Sequence, residues 1–162
     1  MDEFDRLRAI TARLRSDEGC PWDRRQTHES LKPGCIEEAA EVIGGINILT
    51  ETGRPENLKE ELGDLLFQVV LQSQLAEEEG LFTIEDVVRG ISDKMIRRHP
   101  HVFGDMKGAP PEAIHEKWAA IKKQEKAGRE WEKDYLPAAF DEAEDLIGKA
   151  RERKGIRAEK KI

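Results

Sequence analysis

The sequence predicts an all-α protein folded as a helical bundle. Three observations support this prediction. Apolar residues recur every three or four positions through nearly all of the chain. No segment shows the convincing apolar–polar alternation of a strand, and turns rich in Gly or Pro separate the apolar stretches. With 162 residues, the chain is the size of one ordinary domain, and 38% hydrophobic residues are enough to build a core.

The first two predicted helices are amphipathic. The apolar residues of the first are Phe4, Leu7, Ile10 and Leu14. Their spacing predicts a helix that ends near Gly19. After the turn "GCPWD", a second helix begins near Pro33, which suits a first helical turn, and runs to Thr50. Its apolar residues are Ile36, Ala39, Ala40, Ile43 and Ile46.

The third predicted helix is apolar on more than one side. It runs from about Leu58 to Glu79, and Gly80 is its C-terminal stop. Its apolar residues are Leu62, Leu65, Leu66, Val69, Val70 and Leu75. Because they cover more than one stripe, we expect this helix to be buried on several sides. Either further helices of the same chain or a second copy must cover them, and we therefore expect a dimer.

Three more helices are predicted after Gly80. Thr83 and Asp86 resemble a capping box that opens a fourth helix, and Pro100 ends it. The stretch "HPHVFGDMKGAPP" is predicted to be a loop. Two prolines then precede a fifth helix with Trp118 on its apolar stripe, and "LPAAFDEAEDLIGKA" predicts a sixth. We therefore divide the chain into a helical domain at 1–125 and a C-terminal helical extension at 126–162, whose basic end is typical of a solvated tail.

Charge and hydropathy exclude several classes of partner. The formal net charge of -7 and the pI near 5.3 argue against nucleic-acid binding, which requires a basic face. No apolar run approaches the roughly 20 residues of a membrane span, and the acidic N-terminus is unlike a signal peptide. Two cysteines, Cys20 and Cys35, suit a reducing compartment. The sequence therefore predicts a cytoplasmic protein without nucleic-acid or membrane partners.

Two pairs of acids border the apolar stripes of neighbouring helices. Glu38 and Glu41 lie three residues apart on the second helix, and Glu61 and Asp64 lie three apart on the third. Both pairs lie about 10 residues from the connecting loop, so antiparallel packing would bring four carboxylates together. At about 5 Å and an effective dielectric constant near 20, each like-charged pair costs roughly 3 kcal/mol. Cations or protons are therefore needed to offset the repulsion.

Oxygen-only ligation selects a hard cation such as Mg²⁺ or Mn²⁺ over zinc. The same spacing is also typical of a solvated helix face that binds no metal. A di-iron bundle would share the fold, but it requires His where Glu41 and Asp64 stand. The remaining alternative to an enzyme is a non-catalytic helical interaction module or metal-binding module.

Four longer motifs occur in this order: "GCPWDRRQTHESL", "IEEAAEV", "KEELGDLLFQVVLQSQLAEEEG" and "ISDKMIRRHPHVF". Together they resemble the MazG-type nucleoside triphosphate pyrophosphohydrolases of the all-α NTP pyrophosphatase superfamily. The resemblance extends from about Phe4 to Trp118 and makes residues 1–125 a MazG-like catalytic domain. It implies an interlocked homodimer, or a higher homo-oligomer. It also implies a Mg²⁺-dependent enzyme that cleaves an NTP or dNTP between the α and β phosphates, giving the monophosphate and pyrophosphate.

The resemblance also implies site residues. The metal ligands would be Glu38, Glu41, Glu61 and Asp64, and Glu37 or Glu38 could act on the attacking water. The phosphates would be bound by Lys94 and Arg98, and the nucleotide would lie near Trp118 and Lys122. Without the resemblance, the two phosphate-binding cations could equally be a solvated helix end, and the tryptophan could be a core residue. One family position departs: Asn57 stands where relatives have a basic residue four positions before the third acid.

Overall fold

The computed structural model of the protein describes residues 2–156, and within them it contains helices and turns but no strand. The α-helices are α1 (Glu3–Arg15), α2 (Lys32–Thr52), α3 (Glu56–Glu78), α4 (Ile84–Arg98), α5 (Pro100–Phe103), α6 (Pro111–Lys126) and α7 (Leu136–Arg153). Short 3₁₀ helices occupy Asp23–Arg25 and Glu130–Tyr135. The all-α prediction is confirmed. In this part of the chain, every helix is too short or too polar to cross a membrane.

The chain folds as two compact units. One contains the described residues up to Phe82 together with those from Phe140 onward, and the other contains Thr83–Ala139. The division of the chain at residues 125 and 126 stays a prediction. The part of the basic tail beyond Ile156 lies outside the described residues.

Helix α1 begins at an acidic cap and ends earlier than the sequence predicts. The backbone N–H of Asp5 donates to the Asp2 carboxylate at 2.8 Å, as expected of an N-cap. The helix ends at Arg15 instead of near Gly19 because the backbone turns extended at the following serine. A Cβ at Gly19 would lie 2.2 Å from the carbonyl oxygen of Leu14, so only glycine fits this turn.

The core of the first unit lies between α1, the start of α2 and the C-terminal half of α3. Its buried cluster consists of Leu31, Leu71 and Leu75, with Phe67 packed against it. An ion pair with three hydrogen bonds joins α1 to α3: Arg15 Nη2 lies 2.7 Å from Glu78 Oε2. Hydrogen bonding from the arginine lowers the pKa of that carboxyl. Apolar burial and one strong ion pair therefore fix the position of α3.

Helices α2 and α3 are antiparallel and very close together. The connection between them is three residues long and begins at Gly53, whose φ of 74° ends α2 in the left-handed conformation. Near this connection, a Cβ at Gly45 would lie 2.8 Å from the Cα of Leu58. Farther away, a Cβ at Gly34 would lie 3.0 Å from the Gln68 side chain. Glycines on α2 thus allow the two helices to approach along their length.

One chain alone buries only part of the apolar surface of α3. Its C-terminal half is buried, but Leu62 is 50% exposed, and Leu66 and Val69 are each 41% exposed. Burial of α3 on several sides is therefore not achieved within the described part of a single chain.

The second unit begins with the predicted capping box. The backbone N–H of Thr83 donates to the Asp86 carboxylate at 3.0 Å, and the reciprocal bond is 3.3 Å. Helix α4 ends before Pro100, as predicted. The prediction of a continuous loop after it is wrong at Pro100–Phe103, which forms the one-turn helix α5. Proline suits a first helical turn, and the N–H of Phe103 donates to the carbonyl of His99.

Candidate metal and anion sites

The packing of α2 against α3 determines which acids face each other. Gly34 lies opposite Gln68, and Gly45 lies opposite Leu58. The same antiparallel register places Glu38 opposite Asp64 on the facing helix. Local helix structure, a close backbone approach at Gly45 and a side-chain contact at Gly34 thus position these acids.

Three of the predicted metal-binding acids are close together. Carboxylate oxygens of Glu38, Glu61 and Asp64 all lie within 4.8 Å of one another. Glu61 is buried, whereas Asp64 is exposed. Asn57, one turn earlier on α3, donates from Nδ2 to Glu61 Oε1 at 2.7 Å and holds that carboxylate. The cluster therefore has one fixed, buried acid and one that solvent reaches.

The cluster is electrostatically unfavourable by itself. Burial raises the pKa of Glu38, and the charges of Asp64, Glu37 and Glu61 raise it further, while Lys154 acts in the opposite direction. Both causes disfavour the ionised form of the carboxyl. A bound cation would relieve both.

The donor set fits a divalent cation. All three side chains offer oxygen, the ligand type of hard cations. Oxygens on opposite sides of one such ion lie about 4 to 5 Å apart, because each bond is about 2.0 to 2.6 Å long. The separations in the cluster are compatible with shared ligation. Glu38, Glu61 and Asp64 are therefore the residues that would hold a divalent cation.

The other two predicted acids contact cations of the chain itself. Glu41 is not among the three clustered acids, and its Oε1 accepts a hydrogen bond from Lys154 Nζ. Glu37 pairs with Arg153 Nη2 and, at 3.0 Å, with Lys154 Nζ. The expected convergence of four carboxylates is thus observed for three, because Lys154, directly after α7, pairs with Glu41. The roles of Glu37 and Glu41 stay predictions.

The second unit contains the predicted basic residues. Arg98 Nη2 lies 2.6 Å from Glu125 Oε2, and Arg97 Nη2 lies 2.5 Å from the other oxygen of that carboxylate. Hydrogen bonds from the two guanidinium groups, chiefly that of Arg98, lower the pKa of Glu125. A cavity of about 230 Å³ is lined by Lys94, Arg97, Arg98, Glu125, Lys126 and Arg129. Five cations around one acid make this cavity suitable for an anion.

Trp118 lies near Arg98, one of these cations, and near Lys122. Lys122 Nζ is 4.6 Å from the centroid of the indole ring, and the guanidinium carbon of Arg98 is 5.9 Å from it. Both distances are within the range of cation–π attraction. Arg98 is only 17% exposed and already paired, so the interpretation of a simple solvated helix end does not apply to it. The structure thus brings Arg98, Trp118 and Lys122 together, with Lys94 on the same cavity as Arg98.

Sequence reasoning missed two residues that position these side chains. The first is Asn57, a departure from the family pattern whose spacing of four residues from Glu61 indicates a side-chain hydrogen bond. The second is Glu125. It lies seven residues after Trp118 and three after Lys122, so the helical repeat places all three on one face of α6.

Fold and site together define an all-α domain that carries a carboxylate cluster suited to a divalent cation. Residues 26–103 match the MazG nucleotide pyrophosphohydrolase domain. This chain belongs to the MazG family.

Three relatives illustrate the match. Over 123 residues, the chain is 53% identical to the nucleoside triphosphate pyrophosphohydrolase/pyrophosphatase MazG of Thermotoga maritima, covering 76% of this chain and 45% of that protein. It is 44% identical over 128 residues to the nucleoside triphosphate pyrophosphohydrolase of Escherichia coli K12, covering 78% and 47%. It is 48% identical over 124 residues to the uncharacterized protein YabN of Bacillus subtilis, covering 76% and 24%. The chain thus matches less than half the length of each of these relatives.

Proposed function

We propose that this protein is a Mg²⁺-dependent nucleoside triphosphate pyrophosphohydrolase. It would cleave an NTP or dNTP between the α and β phosphates and release the monophosphate and pyrophosphate. Family membership and the names of the Thermotoga maritima and Escherichia coli relatives support the reaction class. The two cysteines, which are both free, favour a reducing compartment, and we propose the cytoplasm.

The observation that carries the proposal is the cluster of Glu38, Glu61 and Asp64. A nucleoside triphosphate brings three to four negative charges, so carboxylates alone would repel it. A bound divalent cation would supply charge neutralisation and Lewis acidity at the phosphate oxygens. The raised pKa of Glu38 is the expected property of an acid in a site built for such an ion.

The remaining steps belong to side chains of this chain. A carboxylate of α2, that of Glu37 or Glu38, accepts a proton from the attacking water. The water oxygen bonds to the α phosphorus as the bond to the bridging oxygen breaks, and pyrophosphate leaves. Lys94 and Arg98 bind anionic phosphate oxygens, and Trp118 and Lys122 bind the nucleotide. Glu41 would complete the ligand set of the metal.

The direct test is product formation by the purified full chain. The protein is incubated with each NTP and dNTP, with and without Mg²⁺, and monophosphate and pyrophosphate are measured. We expect both products only with Mg²⁺, and a loss of more than about 100-fold in Glu61→Gln and Asp64→Asn. Glu60→Gln, an exposed acid next to the cluster, is the matched control and should keep full activity.

Two negative results have different meanings. If no nucleotide yields pyrophosphate although the protein binds Mn²⁺, it is a metal-binding module. If it neither hydrolyses nucleotides nor binds divalent ions, the helical interaction module is the better description.

We also propose that the protein is a homodimer. The support is the apolar surface of α2 and α3 that one chain leaves exposed, including Ile43, Leu62 and Leu66. Sedimentation equilibrium should show a dimer for the wild-type protein and a shift toward monomer for Leu62→Glu. Glu60→Gln on the same helix should not change the mass, and a monomeric wild-type protein would contradict the proposal.

A further inference from the structure

We propose that Arg153 and Lys154, at the C-terminal end of α7, are internal counterions of the metal site. They would occupy Glu37 and Glu41 and withdraw when a divalent cation binds. Both cations lie outside residues 26–103, the stretch that matches the family domain. The inference rests on the divalent-cation site of the proposed function, but it requires no assumption about the reaction.

The contacts are made at a well-defined helix end. Gly155 has a φ of 67°, and the N–H of Ile156 donates to the carbonyl of Arg151 at 2.9 Å, which ends α7 with a Schellman motif. Arg153 is thus the last residue of the helix, and Lys154 follows it directly. Lys154 Nζ bridges Glu37 and Glu41, and Arg153 adds a second contact to Glu37.

The contacts are placed so that an ion from solvent can compete with them. Arg153 is 58% exposed and Lys154 40% exposed, whereas Glu37 is only 17% exposed. The cations therefore cover the acids from the solvent side. Exposed ion pairs of this kind are individually weak because water and salt screen them.

Ion pairs and half-buried apolar side chains hold α7 to its unit. Near its N-terminal end, Glu142 pairs with Lys32 at the start of α2, at 3.1 Å. None of its described side chains is fully buried: Leu146 and Ala150 are half-buried, and Phe140 is 74% exposed. The end of α7 can therefore separate from α2 without exposing a fully buried side chain.

The charges match a replacement of two monovalent cations by one divalent ion. Five carboxylates, those of Glu37, Glu38, Glu41, Glu61 and Asp64, lie on the facing helices α2 and α3. Arg153 and Lys154 offset two of these charges, which equals the charge of one Mg²⁺ or Mn²⁺. A divalent ion that recruited Glu41 would also repel the ammonium group now bound to it.

The test is the affinity of the full-length protein for Mn²⁺, measured by electron paramagnetic resonance of the unbound ion. We expect Arg153→Ala/Lys154→Ala to bind Mn²⁺ about 3- to 10-fold more tightly than the wild type, because two competitors are removed. The control is Arg151→Ala. Arg151 lies in the same helical turn, but its side chain pairs with no acid in residues 2–156. Equal affinity of the double variant and the control would overturn the proposal.

A metal-free measurement keeps the proposal testable if no variant binds Mn²⁺. Under chelating conditions, Arg153→Ala/Lys154→Ala should lower the midpoint of urea unfolding in the wild-type background but not in Glu37→Gln/Glu41→Gln. Absence of this coupling overturns the counterion pairing itself. If the coupling is present but no protein binds Mn²⁺, the assignment of the metal site is wrong. The proposed competition between the two cations and a divalent ion is then wrong as well.

Hydrogen exchange locates the movement. Amides in the last turn of α7 should exchange faster when Mn²⁺ is added to the wild type, because the side chains that anchor this turn are released. Unchanged exchange at saturating Mn²⁺ would contradict withdrawal. A different result in Arg153→Ala/Lys154→Ala would also overturn the proposal. If this variant has a higher KM for a nucleotide but an unchanged Mn²⁺ affinity, the two cations contact the substrate instead.

Discussion

The α2–α3 pair and the α4–α6 pair handle charge in opposite ways. On α2 and α3, Glu38, Glu61 and Asp64 lie together, and burial and neighbouring carboxylates raise the pKa of Glu38. On α4 and α6, Arg97 and Arg98 already share Glu125, and their hydrogen bonds lower the pKa of that acid. The first arrangement requires charge from outside the cluster, whereas the second contains its own counterion.

This difference teaches what each arrangement needs from a ligand. A cation entering the acidic cluster relieves a repulsion that exists before binding. An anion entering the basic cavity must instead compete with Glu125 for guanidinium groups that are already paired. Glu41 resembles the second case although it lies on α2, because Lys154 already supplies its counterion.

The largest expected effect comes from separating the two acid-bearing helices. Gly45→Ala places a methyl group 2.8 Å from the Cα of Leu58, and backbone cannot move aside cheaply. We expect a loss of about 1 to 3 kcal/mol in the free energy of unfolding. Mn²⁺ affinity should fall as well, because Glu38 moves away from Asp64. Urea unfolding and Mn²⁺ titration measure the two effects.

Gly44→Ala is the matched control for this substitution. A Cβ at Gly44 meets nothing within 4 Å, so alanine should be neutral or stabilise α2 by up to about 1 kcal/mol. Equal unfolding midpoints for the two variants would contradict the close approach at Gly45.

The relation of Gly45 to the acids shows what the sequence could predict. Period and spacing were sufficient to predict the antiparallel helix pair and three of the four facing carboxylates, because a short connection leaves little freedom of register. The pattern did not indicate that Gly45 is the point of closest approach. A glycine within a helix has the same sequence signature whether it faces solvent, as at Gly44, or another backbone.

The next effect tests how the buried acid of the cluster is held. Asn57→Ala removes the hydrogen bond of 2.7 Å to Glu61. We expect Mn²⁺ affinity to fall about tenfold, because groups that orient a metal ligand typically affect affinity by 10- to 100-fold. Lys59→Ala, an exposed change on the same helix, should leave the affinity unchanged. Unchanged affinity in Asn57→Ala would show that packing alone orients Glu61.

Two other features lay beyond sequence reasoning for physical reasons. Lys154 and Glu41 are separated by 113 positions, and no periodic pattern connects residues of two helices that touch mainly through long side chains. Helix α5 is only four residues long, too short for an apolar repeat to emerge, so "HPHVF" was predicted to be a loop. In both cases a few specific contacts determine the local structure, and the periodic pattern of apolar residues along the sequence does not.

A smaller effect tests the internal counterion of the basic cavity. Glu125→Gln removes the carboxylate that neutralises Arg97 and Arg98. We expect inorganic pyrophosphate, measured by calorimetry without divalent ions, to bind about 3- to 10-fold more tightly. Glu116→Gln, an exposed change on the same helix, should have little effect. Weaker binding in Glu125→Gln would mean that Glu125 chiefly orients the guanidinium groups.

The smallest expected effect concerns the pH dependence of stability at the same carboxylate. Because the folded-state pKa of Glu125 is lowered from its ordinary value of 4.5, the ionised form stabilises the folded protein. This contribution is complete above the unfolded-state pKa and is lost as the pH falls through the lower folded-state pKa. The difference in unfolding midpoint between the wild type and Glu125→Gln should therefore be constant at neutral pH and shrink below about pH 4.5. Urea unfolding of both proteins between pH 7 and pH 4 measures it. A difference that stayed constant over this range would show that the two arginines do not hold the carboxyl ionised. Glu125 would then not be the internal counterion that distinguishes the α4–α6 pair from the α2–α3 pair.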